Sequence, residues 1–265
     1  KLGFLMKIIF VCSKPITFNT FLKSQANYLT QKGLNIEVAS SESKKLNFNN
    51  NLKHKINFPY KISQLFNLVN YIKIFKQIKK LVRSNPEAIF YLHTPIASHF
   101  FRFFTFSYKL KIIYFVHGFR FTSKTSLIKA FFFKIIEKIL SFKTDVFITI
   151  NNEDYIYAKY FLSKKSFCYK INGVGVNISK NIFKDKLPTK KNIKKILVIA
   201  AYKREKGYLE VLKLAKILKK QSIKIECYGY GNREKFNSIK IKNKINNIFF
   251  NKFDSNLNSK IKKFD

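Results

Sequence analysis

Short apolar runs alternate with stretches of helical spacing along most of this chain, and that alternation restricts the fold more than any other feature. Lys7–Cys12 is a strand-like run, followed by Thr17–Lys32, where Phe18, Phe21, Leu22, Tyr28 and Leu29 share a helical face and Gly33 is placed to end it. Asn35–Ser40 and His54–Phe58 read as further strands, and Ile62 to Val82 as a long amphipathic helix. Ala88–Leu92, Lys111–Val116 and Val146–Ile150 read as strands, each followed by a helical pattern, at 95–109, 125–142 and 152–163. A strand-then-helix rhythm predicts a parallel sheet with helices on both faces, an α/β architecture.

The texture changes after Val176. Residues 179–194 are polar and Lys-rich, contain Pro188, and read as a linker. A second unit then begins: strand Lys195–Ala200, helix Lys206–Lys220, strand Ile223–Tyr228, a short helix near 233–238 and strand Asn247–Phe250. The expected organisation is a domain over 1–178, a linker over 179–194 and a partial second domain over 195–265.

Formal net charge is +38, which first suggests a nucleic-acid partner. The kind of charge argues otherwise. Only five of the 52 basic residues are Arg, at positions 83, 102, 120, 204 and 233, whereas base-edge and phosphate readers favour the bidentate Arg fork. A solvated lysine surface and attraction to anionic lipid are the other readings. The expectation is no nucleic acid. Cys12, Cys168 and Cys227 are widely spaced and odd in number, with neither disulfide nor zinc spacing, which points to a reducing cytoplasm. No stretch long enough to span a bilayer is free of Lys and Arg, so the expected location is cytoplasmic or peripheral on the inner face of the cytoplasmic membrane.

Ligands of open α/β sheets bind beyond the carboxyl ends of strands, so residues there are the site candidates. His93-Thr94-Pro95 follows the fourth run. Thr94 is suited to cap a helix that has Pro95 at its first position, and the imidazole or hydroxyl could instead meet an anion or a sugar hydroxyl. His117-Gly118-Phe119 follows the fifth, with Gly118 allowing close backbone approach. Asn151-Asn152-Glu153-Asp154 follows the sixth; Asn151 as a cap with Glu153 in the first turn explains most of it without function. Gly173-Val174-Gly175-Val176 fits a hinge at the domain junction. In the second unit, Lys203-Arg204-Glu205-Lys206-Gly207 puts cations at a helix start, a suitable diphosphate site, and Gly229-Tyr230-Gly231 shapes a second glycine-rich strand end. Neither the dinucleotide-binding glycine fingerprint nor the P-loop lysine pattern is present.

Taken in order, these motifs, with Thr144-Asp145 and Ile150, resemble family 4 glycosyltransferases, closest to the bacterial exopolysaccharide and capsule branch. The resemblance covers nearly the whole chain. It implies a GT-B fold of two Rossmann-like domains, no metal, and retention at the anomeric carbon. It also implies transfer of a sugar from a nucleotide-sugar donor to a lipid-linked or oligosaccharide acceptor in surface polysaccharide synthesis. By the resemblance, His117 contacts the donor sugar near the reacting carbon, and Lys206 neutralises the diphosphate leaving group, with Arg204, Gly207, Gly229 and Gly231 around it. His93, Thr94, Gly118, Asn151, Glu153, Gly173 and Gly175 fall on the acceptor side of the cleft. Two departures stand out. The family's Arg five positions before its Lys is here Ala201, and its paired Glu motif is expected beyond Asp265. The second domain therefore reads as incomplete, and a catalytically inactive binding module is the alternative.

The pattern at 125–142, with Leu127, Ile128, Phe131, Phe132, Ile135, Ile139 and Leu140 beside Lys129, Lys134 and Lys138, suits either a buried face or a basic amphipathic helix on an anionic membrane.

Overall fold

The apolar runs form strands β1 (Lys7–Val11), β2 (Asn35–Ser40), β3 (Lys53–Lys55), β4 (Ile89–His93), β5 (Lys111–Val116), β6 (Val146–Thr149) and β7 (Phe167–Lys170). They build one sheet in the order β3-β2-β1-β4-β5-β6-β7, and every pairing is parallel. The computed structural model describes residues 6–49, 52–59, 67–121, 125–175 and 193–254, together with 256, 257, 261 and 264. The chain divides into two units, Lys1–Val176 and Asn177–Asp265. The polar linker expected over 179–194 falls outside the described residues except for Ile193 and Lys194, as does Val176.

Strand side chains alternate between two cores. Ile9, Phe90, Tyr114 and Phe147 point to one face of the sheet, and Phe10, Tyr91 and Phe115 to the other. Both faces are covered, so the strands are apolar throughout. One cover is α1 (Pro15–Thr17), a π turn at Phe18–Leu22 and α2 (Lys23–Gln31). The helix expected from Thr17 thus begins at Pro15, and the Lys23 N–H bonds back to Phe18 across one extra residue. The opposite face carries α3 (Leu68–Arg83), α4 (Pro95–Phe104), α5 (Leu127–Ser141) and α6 (Asn152–Phe161). In α3, Ile74, Ile78, Leu81 and Val82 are buried at helical spacing, and the Asn67 side chain caps its start. Helix α4 stops at Phe104, short of the expected 109, where the Thr105 hydroxyl turns back to the Phe101 carbonyl.

The second unit has β8 (Lys195–Ile199), β9 (Lys224–Gly229) and β10 (Ile248–Lys252), parallel in the order β10-β9-β8, with α7 (Tyr208–Leu218) and α8 (Glu234–Lys242). Tyr208, Leu212, Ala215 and Phe236 pack onto Ile225, Cys227, Ile248 and Phe250. Ile199 and Phe249 are exposed. No helix among the described residues is long and apolar enough to cross a membrane.

Candidate functional site

The order of the first sheet reverses between β1 and β4, where two carboxyl ends diverge and leave a crevice. The loop after β1 supplies Ser13 and the end of β4 supplies Thr94. Their hydroxyls lie 2.8 Å apart, and the Ser13 N–H donates to Thr94 Oγ1 at 3.1 Å. Ser13 Oγ accepts the Ala97 N–H at 3.2 Å, which caps the third residue of α4. Thr94 occupies the N-cap position but makes no cap hydrogen bond of its own. The expected capping is therefore done by Ser13, from another strand. Thr94 is held at φ 70, a left-handed conformation that costs a β-branched residue on the order of 1–3 kcal/mol. The motif signalled Thr94; Ser13, 81 residues away along the chain, carried no sequence signal beyond its place after a strand.

His93 ends β4 and is fully buried, so it lies beneath the crevice rather than in it. Its ring stacks on Phe10 at 5.5 Å and lies against Tyr91 and Phe115. Nδ1 meets His117 Nε2 at 3.3 Å, while Nε2 has no hydrogen-bond partner among the described residues. Burial pushes the imidazole well below its ordinary range, and the neighbouring His117 adds to this; burial also lowers His117. Two neutral rings share one hydrogen. A buried N–H without an acceptor is the rarer fault, so His93 donates from Nδ1 and leaves Nε2 as a bare acceptor. His117 then accepts on Nε2 and carries its own hydrogen on Nδ1. His117 follows β5 and is only partly buried. The next residue, Gly118, has φ +137 with open space where a Cβ would stand, so backbone conformation is what asks for glycine here.

The third strand end is tied to the second. Asn151 Oδ1 accepts the Asp154 N–H at 2.8 Å and so caps α6 as expected. Its amide donates to Asp154 Oδ2 at 2.7 Å, and Asp154 Oδ1 accepts the Phe119 N–H at 3.4 Å. Asp154 is buried and its carboxyl is raised, chiefly by burial. The acid that joins the His117-Gly118-Phe119 loop to α6 is thus Asp154, whereas Glu153 points outward. Gly173 and Gly175 lie beyond β7. One edge of one sheet therefore gathers Ser13, Thr94, His117, Gly118 and Asn151, with His93 below.

In the second unit the corresponding edge is made of backbone. A short 3-10 turn, Arg204–Lys206, leads through Gly207 in the left-handed region to α7. No side chain caps that helix start, and Arg204, Lys206 and Lys203 are exposed around it. Gly229 ends β9 so close to β8 that a Cβ would stand 1.8 Å from the Ala200 carbonyl oxygen. Gly231 pairs with Tyr202 as a single parallel bridge. The Tyr208 hydroxyl donates to the Ala200 carbonyl at 2.7 Å, and the Tyr202 hydroxyl reaches the Cys227 and Asn251 carbonyls at 2.8 and 2.5 Å. Exposed cations and a positive helix end, which suit an anion, lie together here with two acids, Glu205, paired with Lys203 at 3.6 Å, and Glu210 in the first turn of α7. The position five before Lys206 is Ala201, which offers no cation. A cavity of about 830 Å³ beside Ile193–Lys195 and Gln221–Lys224 lies at the opposite, amino edge, and none of the candidate residues lines it.

Two parallel Rossmann-like sheets with loops of this composition at their carboxyl edges define a GT-B type α/β protein. The chain belongs to the glycosyl transferase 4-like family, whose sequence profile matches residues 7–151, the stretch that runs from β1 to the Asn151 cap. A protein named as a glycosyltransferase, EpsD of Bacillus subtilis (strain 168), is 30% identical over 174 residues, 64% of this chain and 44% of that protein. The chain thus matches less than half the length of that relative. Among solved structures, sucrose-phosphate synthase from Thermosynechococcus elongatus superposes with a TM-score of 0.70 at 10% identity, covering 94% of this chain and 71% of the other. HepE from Anabaena, solved with UDP and glucose, gives 0.58 at 12% identity over 95% and 70%. These structural likenesses concern the fold.

Proposed function

We propose that the chain serves sugar transfer from a nucleotide-sugar donor to a lipid-linked or oligosaccharide acceptor in surface polysaccharide synthesis, with retention at the anomeric carbon, at the inner face of the cytoplasmic membrane. The observation that carries this reading is the carboxyl edge of the first sheet, where Ser13 meets Thr94 and where His117 and Asn151 follow the next two strands, all inside the stretch matched by the family profile. Support for the donor comes from the second unit's helix start, where Lys206 and Arg204 would take up the charge that grows on the diphosphate as the glycosidic bond breaks. Gly207, Gly229 and Gly231 would let the nucleotide approach the backbone. His117 would offer its Nδ1–H to a sugar hydroxyl or to the oxygen nearest the reacting carbon. The reading calls on no metal and no organic cofactor. EpsD is named as a glycosyltransferase, and HepE was solved with UDP and glucose, which supports a nucleotide-sugar donor.

The test is calorimetric titration of the full chain with nucleoside diphosphates, followed by an assay for their release from a panel of nucleotide-sugars. Lys206→Ala should weaken diphosphate binding by about 1.5–3 kcal/mol, the range of a charge-assisted hydrogen bond. Affinity without sugar release would mark a binding module. No affinity for any nucleoside diphosphate would overturn the reading.

A further inference from the structure

Helix α5 is apolar on two sides. Ala130, Phe133 and Leu140 face the sheet, while Ile128, Phe131, Phe132, Ile135, Ile136 and Ile139 form a second stripe that faces outward. Ile128 is 73% exposed, Phe131 61% and Phe132 59%. A helix apolar all round is ordinarily buried all round. The stripe continues onto α4 at Phe103, 66% exposed, and onto α3 at Leu68, Val69 and Ile72, since α4 packs against both neighbours. Between the helices runs a groove of about 360 Å³ lined by Tyr71, Phe100, Phe103, Phe104, Ile136 and Ile139.

Charge on this face has one sign. Lys73, Lys76, Lys80 and Arg83 on α3, and Lys129 on α5, are exposed, whereas Lys134 lies over the Phe121 and Tyr157 rings and Lys138 donates to the Phe161 and Leu162 carbonyls; the three helices carry one acid, Glu137, and it is buried. A second copy docked through the same face would set lysine against lysine. An anionic bilayer meets both demands, acyl chains for the stripe and headgroups for the lysines. We propose that the α3–α4–α5 face is a membrane-docking surface that seats on an anionic lipid leaflet, with the outer stripe of α5 in the acyl boundary and the groove open to one acyl chain. The surface is separate from the proposed chemistry and is read without donor or acceptor.

The sequence contains no Trp, so a single indole can report the contact. In the full chain, Phe131→Trp should shift to the blue and be quenched by brominated lipid on vesicles of phosphatidylcholine mixed with phosphatidylglycerol. Ile217→Trp, on exposed α7 surface, should do neither. Ile128→Ser with Phe131→Ser and Phe132→Ser should weaken vesicle binding by about tenfold or more. These side chains already face solvent, so circular dichroism should be unchanged. Lys213→Glu with Lys216→Glu, which lowers the net positive charge on α7 and leaves the docking face untouched, should cost less than about twofold by comparison. Equal binding by the triple serine variant and the parent would overturn the proposal, because net charge alone would then explain adhesion. So would an unshifted Phe131→Trp indole on bound protein. Self-association lost in the triple variant, without vesicle binding by the parent, would reassign the face to a second copy and equally overturn it.

Discussion

The two sheets solve the same problem with different materials. In the first unit the loops at the carboxyl edge are fixed by side chains: Ser13 to Thr94, His93 to His117, Asn151 to Asp154 to the Phe119 backbone. Behind them, buried Arg102 donates to Glu137 at 2.9 Å, and His99 meets the other carboxylate oxygen at 2.7 Å. The Arg102 guanidinium lies 4.4 Å over the Tyr114 ring. In the second unit the edge is fixed by absence of side chain at Gly229 and by tyrosine hydroxyls on backbone carbonyls. A polar scaffold sets precise hydrogen-bond directions but fails when one partner is lost. A glycine scaffold leaves room for a ligand and fails when anything is added.

The largest expected effect is on the polar side. Burial alone would raise the Glu137 carboxyl, but Arg102 and His99 overcome it and hold the group at about 2. Glu137→Ala leaves the Arg102 charge buried and unpaired, at an expected cost of about 3–5 kcal/mol. Denaturant unfolding measures it, and Glu137→Leu combined with Arg102→Met should recover most of the loss. The sign with pH follows from the lowered carboxyl. Its stabilising contribution is full above the ordinary value of 4.5 and is lost as pH falls toward 2, so wild type should lose acid stability in that window more steeply than the double variant. Equal acid profiles would mean the ion pair does not organise the first unit.

The glycine side comes next. Gly229→Ala sets a methyl 1.8 Å from the Ala200 oxygen, which is backbone, and the backbone fixes the methyl's own position, so the strands must part. The expected loss is about 1–3 kcal/mol. Hydrogen exchange should show it confined to β8–β10, with β1 and β4–β6 protected as before. Loosening of the first sheet as well would break the contrast between the two units.

These contrasts were unevenly legible in the sequence. Most strands of both sheets and the residues that follow them could be read, because the central strands leave apolar runs and their ends collect Gly, Asn and His. The edge strands were harder, with β7 largely exposed and without such a run, and β3 at Lys53–Lys55 where His54–Phe58 is the expected strand. Contacts across the crevice could not. Ser13 and Thr94 are 81 residues apart, and only the placement of β1 beside β4 joins them. Glu153 was singled out within its motif, yet the side chain that turns inward is Asp154, because Asn151 caps the helix at that residue. Periodicity showed that α5 has more apolar residues than one face can hold, but it does not say which face meets the sheet. His93 looked like a crevice residue because it sits at a strand end; as the last residue of β4 it points into the aromatic layer with Phe10 and Phe115.

The smallest effect separates the two imidazoles. Both rings are held below the ordinary value of 6.5, His93 more strongly, with burial the main cause in each. The unfolded chain takes up protons as pH falls through 6.5 while the folded rings stay neutral, so this stability is complete above 6.5 and declines as pH drops toward the folded values. His93→Phe keeps the stacking on Phe10 and removes one of the two titrating rings. Stability above 6.5 should change by about 1 kcal/mol, the worth of one hydrogen bond, and the decline below it should become shallower. A merely structural role for His93 predicts no more than that. The donor role predicts a second change, visible in nitrogen-15 spectra: His117 should carry its hydrogen on Nδ1 in the parent and move toward the Nε2 form once Phe replaces its partner. If His117 carries its hydrogen on Nε2 in both proteins, the hydrogen between the rings belongs to His117, and His93 contributes packing alone to the crevice.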